Sequence, residues 1–251
     1  MFQGFYNATS GMLTQNRNLN VISNNMGNVS TPGFKSDKFI ATTFREELVS
    51  RTGNKDKTNT SPLGYMSKIR ASDLTVTDYT NAAYAPTRNV LDFALSGNGF
   101  FCIQTNNGTV YTRNGSFTLD NQGYLYLPTV GRVLGQNGPI YLGTDKIRVD
   151  SAGRITSEDG NRNFGQLRIV DFQNYDTQLI KTNGNVFIAP GGGAVASDAK
   201  VVNQALESSN VDAVEQMVNM MGSQRALQSS AQVMKMYDQL IAKMVSQLGP
   251  A

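Results

Sequence analysis

Apolar residues recur every seven positions at both ends of this chain. Phe5, Met12, Leu19 and Met26 mark the beat near the start, with Ala8, Gln15, Ile22 and Val29 three positions further on. Ala213, Met220, Leu227, Met234, Ile241 and Leu248 keep the same beat at the other end. Such a repeat belongs to helices that pack against helices. The spacing predicts a helix over residues 3–28. Gly4, Gly11 and seven asparagines lower its propensity, so it should form by packing rather than alone. Ser30-Thr31-Pro32-Gly33 stops it, because proline blocks helix continuation and Pro-Gly suits a type II turn. The second helix is expected to start at an Asn210 cap, with Asp212 in its first turn. It runs to Leu248, roughly 39 residues or about 58 Å. A helix of that length needs a partner along it. Its stripe is rich in methionine and adaptable, and Gln224 and Asp238 interrupt the companion positions.

Between the helices the pattern changes twice. Residues 36–75 read as extended or irregular, and residues 51–62 carry no apolar group beyond a proline. From about 76 to 204 the period shifts toward two. Short apolar runs such as Val90–Leu95, Phe100–Ile103, Thr109–Thr112 and Tyr124–Leu127 alternate with Asn106-Asn107-Gly108, Asn114-Gly115 and Asn121-Gln122-Gly123. Asn-Gly turns between short strands predict antiparallel hairpins. The expected fold class is therefore α+β. The N- and C-terminal helices, residues 1–33 and 206–251, pair in a coiled-coil-like terminal domain. Residues 34–75 form an extended connection, and residues 76–205 a central antiparallel β domain.

Composition removes much chemistry. Histidine is absent, and with it the commonest general base and metal ligand. The single cysteine, Cys102, lies in the apolar run Gly99–Ile103 and reads as a buried structural thiol. Tryptophan is absent, so no tryptophan platform exists for sugars or bases. Nothing points to a catalytic centre, a metal or a cofactor. The net charge of +3 is scattered, which argues against a nucleic-acid partner. No stretch has the length of a membrane span. The first residues lack the basic start and apolar core of a cleavable secretory signal. Arg17 and Lys35 are the only charges among residues 1–35.

Four local motifs carry a resemblance. Ile22-Ser23-Asn24-Asn25-Met26-Gly27-Asn28-Val29-Ser30-Thr31-Pro32-Gly33-Phe34-Lys35 is similar to the N-terminal signature of the bacterial flagellar basal-body rod proteins, the FlgF/FlgG-like axial proteins of the hook–basal body. It departs at Met26-Gly27, where Leu-Ala is usual. Gly97-Asn98-Gly99-Phe100-Phe101 and Tyr111-Thr112-Arg113-Asn114-Gly115-Ser116-Phe117 resemble that family's β domain. Leu206-Glu207-Ser208-Ser209-Asn210-Val211-Asp212-Ala213, continuing through Val218 to Gln224-Arg225-Ala226, resembles the start of its C-terminal helix. The four span nearly the whole chain in family order.

The resemblance implies a structural, non-enzymatic subunit of the rod. Such a subunit leaves by the flagellar export apparatus without a cleavable signal. It assembles as a helical homopolymer and with other flagellar rod or hook proteins in the basal body. The expected assembly interface is Phe5, Met12, Leu19, Ile22, Asn24, Asn25, Met26, Asn28, Val218, Met220, Leu227, Met234, Ile241 and Leu248. Thr31, Pro32 and Gly33 would turn the chain outward. Three other readings stay open. One is a hook-type axial protein, normally longer. Another is a carbohydrate- or peptidoglycan-binding β domain, with Asp92, Asp120, Asp150 and Asp171 as available carboxylates. The last is a membrane-associated helical hairpin, for which a basic face is missing.

Overall fold

The computed structural model describes residues 2–52, 60–182 and 184–248, so residues 53–59 of the polar stretch lie outside it. The chain is α+β, with helices from its two ends packed together and an antiparallel β region between them in sequence. It divides into two compact units. The first comprises residues 1–26, 37–76 and 213–251; the second comprises 27–36 and 77–212.

The first unit holds α1 (Phe2–Gly27), the paired strands β1 (Asp37–Thr52) and β2 (Thr60–Thr77), and the long terminal helix. That terminal helix spans Ala213–Leu248, 36 residues. It starts three residues later than expected. Asn210 is not its cap, because the Asn210 amide is spent within the β unit, on Ser36 and Asp78.

The second unit is built from short antiparallel strands. In chain order they are β3 (Tyr84–Pro86), β4 (Phe93–Ser96), β5 (Phe100–Thr105), β6 (Gly108–Thr112), β7 (Thr118–Leu119), β8 (Leu125–Leu127), β9 (Gly131–Gly135) and β10 (Gly138–Pro139). There follow β11 (Ile147–Val149), β12 (Arg154–Ser157), β13 (Asn163–Gln166) and β14 (Ile169–Asp171). After the one-turn helix α2 (Tyr175–Gln178) come β15 (Ile180–Thr182), β16 (Val186–Ile188), β17 (Val195–Ala196), β18 (Lys200–Asn203) and β19 (Ala205–Glu207). The terminal helix is therefore α3. The largest sheet has the path β15-β16-β6-β5-β9-β8-β7, with β10 on β9 and β14 joining β5 to β17. β11, β12 and β13 form a three-stranded sheet, while β18 pairs with β4 and β19 with β3.

β5 lies at the centre because both its faces are apolar. Phe101 and Ile103 enter one core with Phe93, Phe117, Leu125, Val133 and Ile155. Phe100 and Cys102 enter a second core with Val170, Phe172 and Phe187. A strand buried on both faces reads as an unbroken apolar run rather than an alternation, which is why residues 99–103 look as they do. Burial pushes the Cys102 thiol up to about 11, so at neutral pH it stays protonated and unreactive.

Gly115 follows β6 where two backbones meet. Its carbonyl accepts the Phe93 N–H at 3.1 Å, and a Cβ there would land on the Phe93 carbonyl itself. Backbone cannot yield as a side-chain tip can. Gly115→Ala should therefore lower the stability of the chain by at least about 2 kcal/mol, read by urea unfolding followed by circular dichroism.

Candidate functional site: the helix seam and the segment clasp

The helix pair of the first unit has a polar axis. Asn18 Nδ2 donates to Ser223 Oγ at 2.9 Å, and Asn25 Nδ2 reaches Gln216 Oε1 at 3.4 Å. Seven residues forward on α1 correspond to seven backward on α3, so the pair is antiparallel. The same register puts Gly4 against Tyr237, and a Cβ on Gly4 would fall 2.8 Å from Tyr237 Cζ. The axis thus follows Gly4, Asn18 and Asn25 on α1, and Gln216, Ser223 and Tyr237 on α3. Thr14, Ile22, Asn25 and Ser223 are the buried members around it. Asn25 does more: its Oδ1 accepts the Asp37 N–H at 3.0 Å and its Nδ2 donates to the Asp37 carbonyl at 2.8 Å. One amide side chain thereby replaces a ladder partner at the first residue of β1.

The apolar heptad flanks this axis rather than forming it. Phe5, Met12, Leu19 and Met26 are half-buried, as are Met220, Leu227 and Met234. Val218 and Ile241 are exposed, at 57% and 37%. Asn24 is exposed and Asn28 half-buried. The Leu248 side chain lies outside the described residues.

The β unit is entered and left through three segments that lie side by side: residues 27–36, 77–82 and 205–212. Thr31, Pro32 and Gly33 begin the first as a turn, with Phe34 N–H donating to the Thr31 carbonyl at 3.3 Å. Gly33 sits at φ +65°, and a Cβ there would strike the peptide joining Arg113 to Asn114. Its N–H donates to the Glu207 carbonyl at 2.7 Å. Asn185 Nδ2 holds the Pro32 carbonyl at 3.2 Å. Asn210 then pins all three segments, accepting the Ser36 N–H at 2.6 Å and donating to the Asp78 carbonyl at 2.8 Å.

At the centre of this clasp are three buried charges. Lys35 Nζ donates to Glu207 Oε1 at 2.7 Å and to the Thr80 carbonyl at 2.8 Å. Arg113 Nη1 approaches Glu207 Oε2 at 3.3 Å, and its Nη2 donates to the Gly97 carbonyl at 2.7 Å. The Ala82 N–H also reaches Glu207 Oε1, at 3.1 Å. Lys35 is 1% exposed and Glu207 1%. Lys181 closes the outer side, its Nζ 4.0 Å from the Phe34 ring centroid and 2.6 Å from the Lys35 carbonyl. Burial holds the Lys35 ammonium below its ordinary value of 10.5, outweighing the attraction of Glu207. Sequence reasoning passed over Lys35, Arg113, Glu207 and the pinning role of Asn210. The available signal was Lys35 itself, a single charge in an otherwise almost uncharged segment.

The four candidate carboxylates do not gather into one site of this kind. Asp92 accepts from Asn89, Asp120 from Arg132, Asp150 from Ser151, and Asp171 from Tyr175 at 2.6 Å. Among the described residues no helix is long and apolar enough to cross a membrane.

Two of the three clasp segments, the first and the last, fall in stretches matched by known families. Residues 5–35 match the family described as flagella basal body rod protein, and residues 94–188 the flagellar hook protein FlgE/F/G D1 domain. Residues 202–248 match the flagellar basal body rod FlgEFG protein C-terminal family. Over 98% of its length the chain is 32% identical to the flagellar basal-body rod protein FlgG of Bacillus subtilis, covering 99% of that protein. The chain belongs to the flagellar basal-body rod protein family. It is similar also to FlgG of Agrobacterium fabrum, 30% identical over 93% of this chain and 94% of that one. To FlgF of Caulobacter vibrioides it is 27% identical over 99% of both. This rod protein is accordingly a structural subunit of the flagellar basal body and works in motility.

Two outcomes follow from the clasp of the rod subunit. Glu207→Gln leaves Lys35 and Arg113 buried without an anion, and should cost about 3–5 kcal/mol by urea unfolding. Lys35→Met, which leaves Glu207 with Arg113, should cost less. The second outcome concerns pH. The folded chain releases the Lys35 proton at lower pH than the unfolded chain does, so the folded state binds fewer protons in between. Stability should rise with pH up to 10.5, relative to Lys35→Met measured alongside.

Proposed function

We propose that this rod subunit polymerises helically through its two terminal helices, and that it reaches the basal body by the flagellar export apparatus without a cleavable signal. The observation that carries the reading is the outward distribution of apolar side chains on the helix pair. Tyr6 and Leu13 on α1, with Val214, Met217, Val218, Met221, Met236, Leu240 and Val245 on α3, are all more than half exposed. A stable monomer rarely leaves so much apolar surface in water. Fully burying one such side chain contributes roughly 1.5–3 kcal/mol. Repeated along a polymer, that offsets the ordering of a weak α1.

Glycines support the same reading. A Cβ at Gly11 of α1 or Gly222 of α3 would meet nothing within 4 Å. Each costs its helix about 1 kcal/mol against alanine with no steric reason inside the chain. Close approach by another subunit supplies one. In this reading residues 1–33 and 206–251 are the assembly part, residues 34–75 connect, and residues 76–205 form the outer β part. The half-buried heptad from Phe5 to Met26 and from Met220 to Met234, with the exposed Ile241, becomes covered on assembly. Contacts of this head-to-tail kind extend into a filament when the rotation does not close. The function requires no catalytic group.

Leu227→Asp should abolish rod assembly and motility while leaving the β unit folded by circular dichroism. Gly11→Leu should raise helicity of the monomer and still block assembly. Rods and swimming unchanged in both variants would sink the proposal.

A further inference from the structure

One surface of the β unit is built like a ligand platform and serves neither the seam nor the clasp. Tyr141, just after β10, is 51% exposed, yet its ring is fixed. It lies over two glycines. A Cβ at Gly123 would fall 3.1 Å from Tyr141 Cε2, and one at Gly143 would fall 3.2 Å from its phenolic oxygen. Both glycines have positive φ, +85° and +65°, and the Gly123 carbonyl accepts the N–H groups of Leu142 and Gly143 at 2.9 and 3.0 Å. The backbone of Tyr141 bridges to that of Tyr124, whose ring meets it edge-on at 5.3 Å. The Arg132 guanidinium lies over the Tyr124 ring, 4.2 Å from its centroid. Asp120 and Gln122 hold that guanidinium flat: Asp120 Oδ2 accepts Nε at 3.0 Å, and Gln122 Oε1 accepts Nη2. Asp120 is itself fixed by the N–H groups of Gln122 and Tyr124 at 2.8 and 2.9 Å.

The result is an aromatic ring half exposed to solvent, linked through Tyr124 to a planar, charge-neutralised group of hydrogen-bonding side chains. We propose that this platform binds a pyranose ring of a neutral or N-acetylated glycan. The apolar C–H face of the sugar stacks on Tyr141, and its equatorial hydroxyls meet Arg132 and Gln122. Size favours a sugar over a protein partner. A stable protein interface buries about 800 Å² on each side around several anchors, whereas one ring with two or three polar neighbours matches a single hexose. Charge agrees, because Asp120 already neutralises Arg132 and a charged ligand has nothing to gain. The proposal stands apart from assembly by the helices.

The test is saturation-transfer NMR on the full chain with a trimer of N-acetylglucosamine and a trimer of glucose, each β-1,4-linked. Transfer to the pyranose C–H protons of either trimer is expected. Tyr141→Ala should weaken binding at least about tenfold, the scale of a lost aromatic contact. Arg132→Lys, which keeps the charge and loses the planar fork, should weaken it too. Tyr84→Phe, at an exposed tyrosine elsewhere, should leave it unchanged, and circular dichroism should show every variant folded. No transfer to either trimer, or transfer that survives Tyr141→Ala, overturns the proposal. So does a Tyr141→Ala variant that fails to assemble while the parent protein binds neither sugar, since that result assigns the platform to a protein neighbour.

Discussion

One buried carboxylate organises the β unit. Glu207 takes Lys35 from the N-terminal segment, Arg113 from the turn after β6 and the Ala82 N–H from the segment after β2. Two cations around a single anion form a poor source of net stability, because each ion must shed its water. What the arrangement supplies is placement. Lys35 Nζ is held by Glu207 and by the Thr80 carbonyl together, which fixes the position of the segment from Asn28 to Ser36. Carbonyl oxygens of Thr80 and Gly97 each take one further donor. The chain is thereby fixed where the β unit begins and where it ends.

The helix pair follows the opposite strategy. Its axis is small and polar, through Thr14, Asn18, Asn25, Gln216 and Ser223. Hydrogen bonds of this kind add only about 1 kcal/mol each, but they specify register well. A firm apolar seam would have satisfied the two helices within one subunit. The actual pair is aligned and underfilled, which leaves its larger side chains for other contacts.

Much of this was legible in the residues, for reasons that can be named. The Asn-Gly turns and short apolar runs marked the hairpins, because few residues accept the required positive φ. The seven-residue beat revealed both helices, yet its phase was displaced by one position. Hydropathy registers Phe5, Met12, Leu19 and Met26, whereas the helices meet at Gly4, Asn18 and Asn25, to which hydropathy is blind. Asn210 resembled a helix cap because asparagine accepts hydrogen bonds in both settings. Lys35, Arg113 and Glu207 lie far apart in sequence, and only the fold joins them. The Tyr141 platform escaped for a similar reason: the rigidity of its ring comes from Gly123 and Gly143, which look like ordinary turn residues.

β5 carries a mechanical consequence. Its successive residues belong alternately to two different cores, Phe100 and Cys102 to one, Phe101 and Ile103 to the other. Sliding the strand by a single residue would therefore exchange the contents of both cores at once, and sliding by two would break five paired positions with β6. There is no small displacement between these costly steps. Force applied along the strand meets stiffness instead of creep, which is a useful property in the material of a turning shaft.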